Sequence, residues 1–518
     1  MNAHMSPEEF RRHGRQVVDW IADYMAGIES RPVMSRAEPG DVRRALPAEP
    51  PEHGEPFEAV LDDLNTILLP GITHWQHPAF FAYYPSNASG PAILGDLLSS
   101  GLGVQGMLWV TSPACTELET VVVDWLASLL GLPAHFRTDA RGGGVIQDSA
   151  SSACLVALLA ALHRASDGRV TRTGVAERYT IYVSSQTHSS LEKAARVAGL
   201  GSDGVRVVDV HPRTLAMDPG RLRELIAADK AAGAVPAMVC ATVGTTSSAT
   251  VDPVPEIGEV CREHDVWLHV DAAYAGVAAV CPEFRGLNDG VAEYADTYST
   301  NPHKWLLTNF DCTVLWTADR APLLGALSIL PEYLRNAATT AGSVVDYRDW
   351  QIPLGRRFRA LKLWSVIRWY GAEGLRAHIR KGVSLAQHLA ALIAADPAFE
   401  LHEPHPLGLV CFRPRWPGLP PADADAATLR LMEALNAGGS LYLTHTAIGG
   451  RIVLRMAVGG PATELRHVDR AWAAIRQGHA ALAQETAQET AQETAQETAR
   501  ETARETARET ARETARDD

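Results

Sequence analysis

No C-x-x-C pair occurs in these 518 residues, and the seven cysteines are scattered: Cys115, Cys154, Cys240, Cys261, Cys281, Cys312 and Cys411. That spacing supports neither a zinc site nor a disulfide framework. A reducing, cytoplasmic setting is expected, with the thiols buried as small hydrophobes. No stretch approaches 18 consecutive apolar residues, and the opening MNAHMSPEEFRRHGRQ carries charge where a leader would carry an apolar run. Neither a membrane span nor a signal peptide is expected. Positive charge is in deficit: 47 Lys and Arg face 61 Asp and Glu, a formal net charge of -14. That balance argues against a general nucleic-acid or anionic-membrane binder. A Walker loop and a dinucleotide-binding glycine fingerprint are both missing.

What is present is apolar content of 46% over 518 residues, enough for two or three domains with a large core. Ser6, Pro7 and Glu9 read as the start of a helix over 6–28, with a capping box and with Phe10, Val17, Ile21 and Tyr24 at helical spacing. A proline-rich connector and a second amphipathic helix over 57–68 follow. This arm is too small to bury its own stripe and is expected to lie on something else, such as a second subunit. From about 87 the texture becomes α/β. Strands at 179–185, 204–210, 237–244 and 267–274 alternate with helices at 189–199, 220–233 and 254–265. That alternation predicts a mostly parallel, helix-covered sheet with ligands beyond the carboxyl ends of its strands. A long helix to about 395 precedes a small α+β unit with strands near 407–413 and 451–457. The tail repeats AQET four times and ARET four times from Ala483. It reads as a solvated helix or a disordered segment without chemistry.

Four features gather at the expected ligand edge. Lys304 stands between a histidine and a tryptophan in STNPHKWLLTNF. An isolated lysine is usually solvated, and a buried ammonium is costly unless it is neutral or condensed with a carbonyl. Asp271 ends a strand in HVDAAYAG, where it either caps the next turn or holds a proton on a ring nitrogen. Ala272 and Ala273 after it would let a flat ring approach the backbone. His188, opening a helix in THSSLEKA, is either a helix-capping histidine or a flat group facing a ligand. QDSASSA at 147–153 is either plain N-cap chemistry or an anion seat at a helix N-terminus. Together they offer an amine for a carbonyl, a carboxylate for a pyridine nitrogen, a stacking group and a phosphate seat. Pyridoxal 5'-phosphate requires all four.

At this point the chain resembles the group II pyridoxal-phosphate decarboxylases, specifically the aromatic L-amino acid decarboxylases. The resemblance rests on NPHKWLLTNFDC, HVDAAYAG, THSSLEKA, HPAFFAYYPSNASGPAILGDLL, SPACTELETVVVDWL and DYRDWQIPLGRRFRALKLW, in order, over roughly residues 6–478. It implies an α/β fold of type I: an N-terminal helical dimerisation arm (1–86), a large cofactor-binding domain (87–372) and a small α+β domain (373–480). The tail (481–518) lies outside it. It implies that Lys304 carries the cofactor, Asp271 partners the pyridine nitrogen, and His188 stacks on the ring. Ala150, Ser151 and Asn301 would hold the phosphate, and Thr246 and Ala273 would lie near the ring. Trp75, Tyr83, Tyr84, Pro85 and Ser86 fall on the family's substrate segment, and His303 lies near the substrate carboxylate. Gln105 and Met107, in GVQGMLW, match a stretch supplied by the partner of an obligate homodimer. Tyr333 matches the tyrosine of a catalytic loop, where related aldehyde synthases tend to have Phe.

The resemblance therefore implies decarboxylation of an aromatic L-amino acid to the arylalkylamine and carbon dioxide. The site is expected to hold no metal. An aldehyde synthase, an aminotransferase or a non-catalytic dimeric platform on the same scaffold are the alternatives. Three positions depart from the family pattern: Asp148 replaces a small residue, Ser152 an acidic one and Gln105 an apolar one.

Overall fold

The computed structural model describes residues 4–329 and 344–514. Seven strands form the large sheet: β1 (Gly143–Gln147), β2 (Tyr179–Ser184), β3 (Val205–Val208), β4 (Val235–Thr242), β5 (Trp267–Asp271), β6 (Thr297–Thr300) and β7 (Thr313–Thr317). Their order is β1-β7-β6-β5-β4-β2-β3. The run from β6 to β3 is parallel, and β7 is antiparallel to both β1 and β6.

The parallel strands are buried on both faces, as helix-covered sheets require. β5 illustrates this. Leu268 and Val270 join the core under helices Pro113–Leu130 and Val254–His264, whereas Trp267 joins the core under helices Ala150–Ala165 and Ser190–Val197. Side chains alternate along a strand, so Trp267, His269 and Asp271 share the second face.

The antiparallel β7 has no counterpart in the sequence reading. The connection from β6 contains only the single-turn helix Pro302–Trp305. A parallel return needs a crossover of a dozen or more residues, usually through a full helix. The chain therefore turns back beside β6, and Lys304 sits on that turn.

Four antiparallel strands make the small sheet, ordered β10-β11-β9-β8. They are β8 (Phe399–Leu401), β9 (Leu409–Pro414), β10 (Thr444–Ile448) and β11 (Arg451–Ala457). Helix Ala360–Ala394 reaches this unit through a kink at Gly371, whose φ of 59° is in the left-handed region. The last helix, Leu465–Thr514, runs from the small unit into the repeats without a break.

At the other end, helix Pro7–Gly27 carries the expected capping box between Ser6 and Glu9. Its apolar stripe is largely uncovered within the chain, with Phe10 60% exposed, and Leu94 and Leu97 of helix Gly90–Leu102 are exposed beside the same groove. All seven cysteines are free and buried. No helix among the described residues is long and apolar enough to cross a membrane.

Candidate active site

The carboxyl ends of the parallel strands bring the sequence-predicted residues together. Asp271 closes β5 and pairs in register with Thr242 of β4 and Ser299 of β6. In-register neighbours present their side chains on one face. The Thr242 and Ser299 hydroxyls are buried and make no hydrogen bond among the described residues. Asp271 Oδ1 accepts from the Ala273 amide at 3.0 Å, so the carboxylate does cap the next turn. The loop is then tied back to β6: the Ala272 amide donates to Ser299 O at 2.9 Å and the Asn301 amide to Ala273 O at 3.1 Å. Asn301 is buried, with its Oδ1 accepting from Thr313 Oγ1 at 2.9 Å.

Lys304 follows one turn later, its amide donating to Asn301 O at 3.0 Å. Its Nζ stands 5.6 Å from the centroid of the Tyr84 ring. Burial lowers the ammonium pKa, and the Asp271 charge opposes that fall. Tyr84 is buried and its hydroxyl donates to Thr245 O at 2.7 Å. Tyr274 lies flat against Tyr84, and Trp305 lies nearly parallel to Tyr274 with centroids 5.2 Å apart. Arg455, from β11, donates to the carbonyls of Ala82, Thr246 and Ser247 and so locks the small sheet onto the loop after β4. Thr246 itself is exposed.

His188 is exposed in the cleft, and its Nδ1 accepts from the Ser190 amide at 3.1 Å. An amide can only donate, so Nδ1 is unprotonated and the ring proton sits on Nε2. Desolvation lowers the imidazole pKa, and Asp271 raises it. The helix-capping reading of His188 is thus realised on one nitrogen, which leaves the other for the cleft.

At the head of helix Ala150–Ala165, Ser149 is the N-cap and its Oγ accepts from the Ser152 amide at 3.2 Å. The Ala150 and Ser151 amides at its N-terminus have no intrahelical acceptor. Asp148 Oδ1 accepts from Ser149 Oγ at 3.2 Å. Burial works against the Arg359 charge, but Asp311 at 3.0 Å and the field of Asp148 raise its pKa.

His303 is buried, and burial, with Lys304 nearby, pushes its pKa down to about 4. Its Nδ1 lies 3.0 Å from the Cys312 amide, and its ring meets Phe310 edge-on. Pro85 is buried, and Ser86 O accepts from Gln76 Nε2 at 2.5 Å. Trp75 and Tyr83 stack at 5.6 Å in a partly exposed cluster with Phe80 and Tyr442. Gln105 Oε1 accepts from the Arg356 amide at 3.1 Å, and Met107 O accepts from the Arg348 amide at 3.1 Å. Tyr333 lies outside the described residues. Among the described residues no group of His, Cys, Asp and Glu is placed to hold a metal ion.

Sequence reasoning missed Tyr274, Arg455, Cys154 and Ser190. Tyr274 and Ser190 lie inside quoted motifs, so their neighbours were a signal. Arg455 and Cys154 reach the site only through strand and helix placement.

A half-buried lysine on the turn after a strand, a carboxylate closing the neighbouring parallel strand, and free amides at a helix head together define a pyridoxal-phosphate enzyme of the type I fold. Residues 39–415 match the pyridoxal-dependent decarboxylase conserved domain. Over 473 residues the chain is 47% identical to tryptophan decarboxylase 2 of Oryza sativa subsp. japonica, spanning 91% of this chain and 95% of that one. Over 478 residues it is 48% identical to phenylacetaldehyde synthase of Arabidopsis thaliana, spanning 91% and 96%. The crystal structure of Oryza sativa TDC with PLP and tryptamine superposes with a TM-score of 0.90 at 43% identity, covering 93% of this chain and 100% of that chain. The chain belongs to the pyridoxal-dependent decarboxylase family, and its cofactor is pyridoxal 5'-phosphate.

The residues present fit that cofactor. The orphan hydroxyls of Thr242 and Ser299 flank Asp271, Ala272 and Ala273 add no bulk beside it, and the Asp271 field supports the Lys304 ammonium.

Proposed function

We propose that the chain decarboxylates an aromatic L-amino acid, releasing the arylalkylamine and carbon dioxide. The observation that carries this reading is the placement of Asp271 at the end of β5 and of Lys304 on the turn just beyond the neighbouring β6, in a chain whose relatives are named for aromatic decarboxylation and aldehyde formation. Pyridoxal 5'-phosphate supplies an aldehyde for an amine and, when its ring nitrogen is protonated, an electron sink.

In this reading Lys304 would hold the cofactor through its side-chain amine, next to the space for the substrate amino group. Asp271 keeps the proton on the ring nitrogen. His188 covers the ring face, while the Ala150 and Ser151 amides and Asn301 receive the phosphate. Ala273 and Thr246 border the ring. His303, neutral at pH 7, lies beside the substrate carboxylate. Tyr84, Pro85 and Ser86 line the near side of the substrate space, with Trp75 and Tyr83 further out. Tyr333 delivers a proton to Cα after carbon dioxide leaves. Gln105 and Met107 serve the neighbouring site of a homodimer, whose interface covers the exposed stripe of helix Pro7–Gly27. The apolar lining suits a flat side chain, in tyrosine, tryptophan, phenylalanine, DOPA or 5-hydroxytryptophan.

The second reading is an aldehyde synthase, supported by the relative from Arabidopsis thaliana. Tyr at position 333 favours the decarboxylase. One assay separates them: amine, aldehyde, carbon dioxide and peroxide are measured from each aromatic amino acid in turn. Amine matching carbon dioxide, without peroxide, supports the proposal, whereas stoichiometric peroxide and aldehyde refute it. Lys304→Ala should abolish both turnover and the bound-cofactor absorbance.

A further inference from the structure

Lys304 lies between two backbone fixings that come from a distant part of the chain. Just before it, the Asn87 amide donates to His303 O at 2.9 Å. Just after it, the Leu307 amide donates to Asn87 Oδ1 at 3.2 Å, and Ser89 Oγ donates to Leu307 O at 2.6 Å. Asn87, Ser89, His303 and Leu307 are all buried. Buried backbone groups need partners, and here residues 87–89 supply them. Leu307 needs holding, because its φ of 56° lies in the left-handed region. A leucine persists there only where its surroundings over-determine the conformation.

The orientation of the Asn87 side-chain amide follows from its backbone partners. A backbone N–H only donates and a carbonyl only accepts, so Oδ1 faces the Leu307 amide and Nδ2 faces Gly459 O, 3.0 Å away. His378 Nε2 stands 3.0 Å from the same Oδ1. An amide oxygen cannot donate, so Nε2 carries the proton and donates to it. Gly459 follows β11 of the small sheet, and His378 lies on helix Ala360–Ala394 beyond its kink at Gly371. One side chain thus ties the Lys304 turn both to the small unit and to that helix.

We infer that Asn87, held in turn by His378, is a positioning residue for Lys304: it fixes the backbone on both sides of the lysine and so sets where the amine stands at the sheet edge. Ser89 completes the fixing at Leu307. That the amine so placed serves the cofactor rests on the reading of Lys304 given above.

The test is circular dichroism of the bound-cofactor band in the holoenzyme, per cofactor bound, with kcat, KM and melting temperature measured beside it. Asn87→Ala should weaken the dichroism and lower kcat by about 10-fold to 10²-fold, the scale of a misplaced reacting group, with KM within about threefold of the wild type. His378→Leu should move both readings in the same direction by less. His378→Gln, whose amide N–H can replace Nε2–H, should restore the wild-type values. Wild-type dichroism and kcat in Asn87→Ala, with only a lower melting temperature, overturn the inference, because a purely structural contact would do no more than that. Should Asn87→Ala not fold, the His378 pair decides. Loss in His378→Leu with recovery in His378→Gln supports the inference, whereas wild-type values in both, or equal loss in both, overturn it. The reading beneath it fails in a different way: a cofactor band unchanged in Lys304→Ala would remove the role of Lys304. Absence of amine from every aromatic amino acid with the wild type would remove the decarboxylase reading and leave the dichroism result standing.

Discussion

Tyr84 lies flat on Tyr274, with ring centroids 3.6 Å apart and planes 13° from parallel. The contact joins the segment preceding helix Gly90–Leu102 to the turn after Asp271. Both rings are buried, so the contact removes a large apolar area from water. Tyr84→Ala should therefore destabilise the protein by about 3–5 kcal/mol. Tyr84→Phe keeps the stack and removes one of the two donors to Thr245 O, which retains the Ala249 amide, so it should cost only about 0.5–1.5 kcal/mol. Denaturant unfolding of the two variants measures the difference, and equal losses would mean that the hydroxyl, not the ring, carries the contact.

Asp271→Asn keeps an acceptor for the Ala273 amide but removes the charge. Because Asp271 raises the Lys304 pKa against burial, its loss should let that pKa fall further. The pH dependence of lysine modification in cofactor-stripped enzyme reads the shift. Turnover should drop by about 10²-fold or more, since on the proposed reading the group that keeps a ring proton is gone. A Lys304 pKa that rises would contradict the arrangement.

Acid should destabilise the fold through buried histidines. Burial pushes His269, His303 and His378 from the ordinary 6.5 down to about 4. Between those values the unfolded chain binds more protons, so their contribution is complete above 6.5 and is lost as pH falls towards 4. Asp252, raised by burial to about 6, acts in the opposite sense over the lower part of that window. The three histidines outnumber Asp252, so acid should lower stability on balance. Melting temperatures at a series of pH values from about 6.5 to about 4.5 should fall steadily, and a flat profile would argue against buried neutral imidazoles.

Tyr333→Phe should shift the products from amine towards aldehyde and hydrogen peroxide, because on the proposed reading it removes the proton donor to Cα. Product analysis with one substrate is sufficient. An unchanged amine yield would take Tyr333 out of the reaction.

The chain itself announced much of this protein, because its signals are local. The box Ser6–Glu9, the alternation of apolar strands with amphipathic helices, and the carboxylate that ends WLHVD are properties of a few neighbouring residues. Each states a period, a cap or a strand end without reference to distant partners. The candidate cluster of Lys304, Asp271 and His188 was legible for the same reason: each residue marks the end of a strand or the turn just beyond it, and parallel strands finish at a common edge.

Tertiary structure alone decided the rest. The reversal of β7 depends on whether a crossover fits between two strands, which no period encodes. Register placed Thr242 and Ser299 beside Asp271. The separation of Tyr84, beneath Lys304, from Tyr83, in an outer aromatic cluster, is a matter of which neighbours each ring meets. The polar contacts that link Trp267, Thr297, His269, Cys154, Ser190 and His188 in series draw on β5, β6 and two helices. They come from four separate stretches of the chain, and only packing brings two hydroxyls, a thiol and two imidazoles within reach.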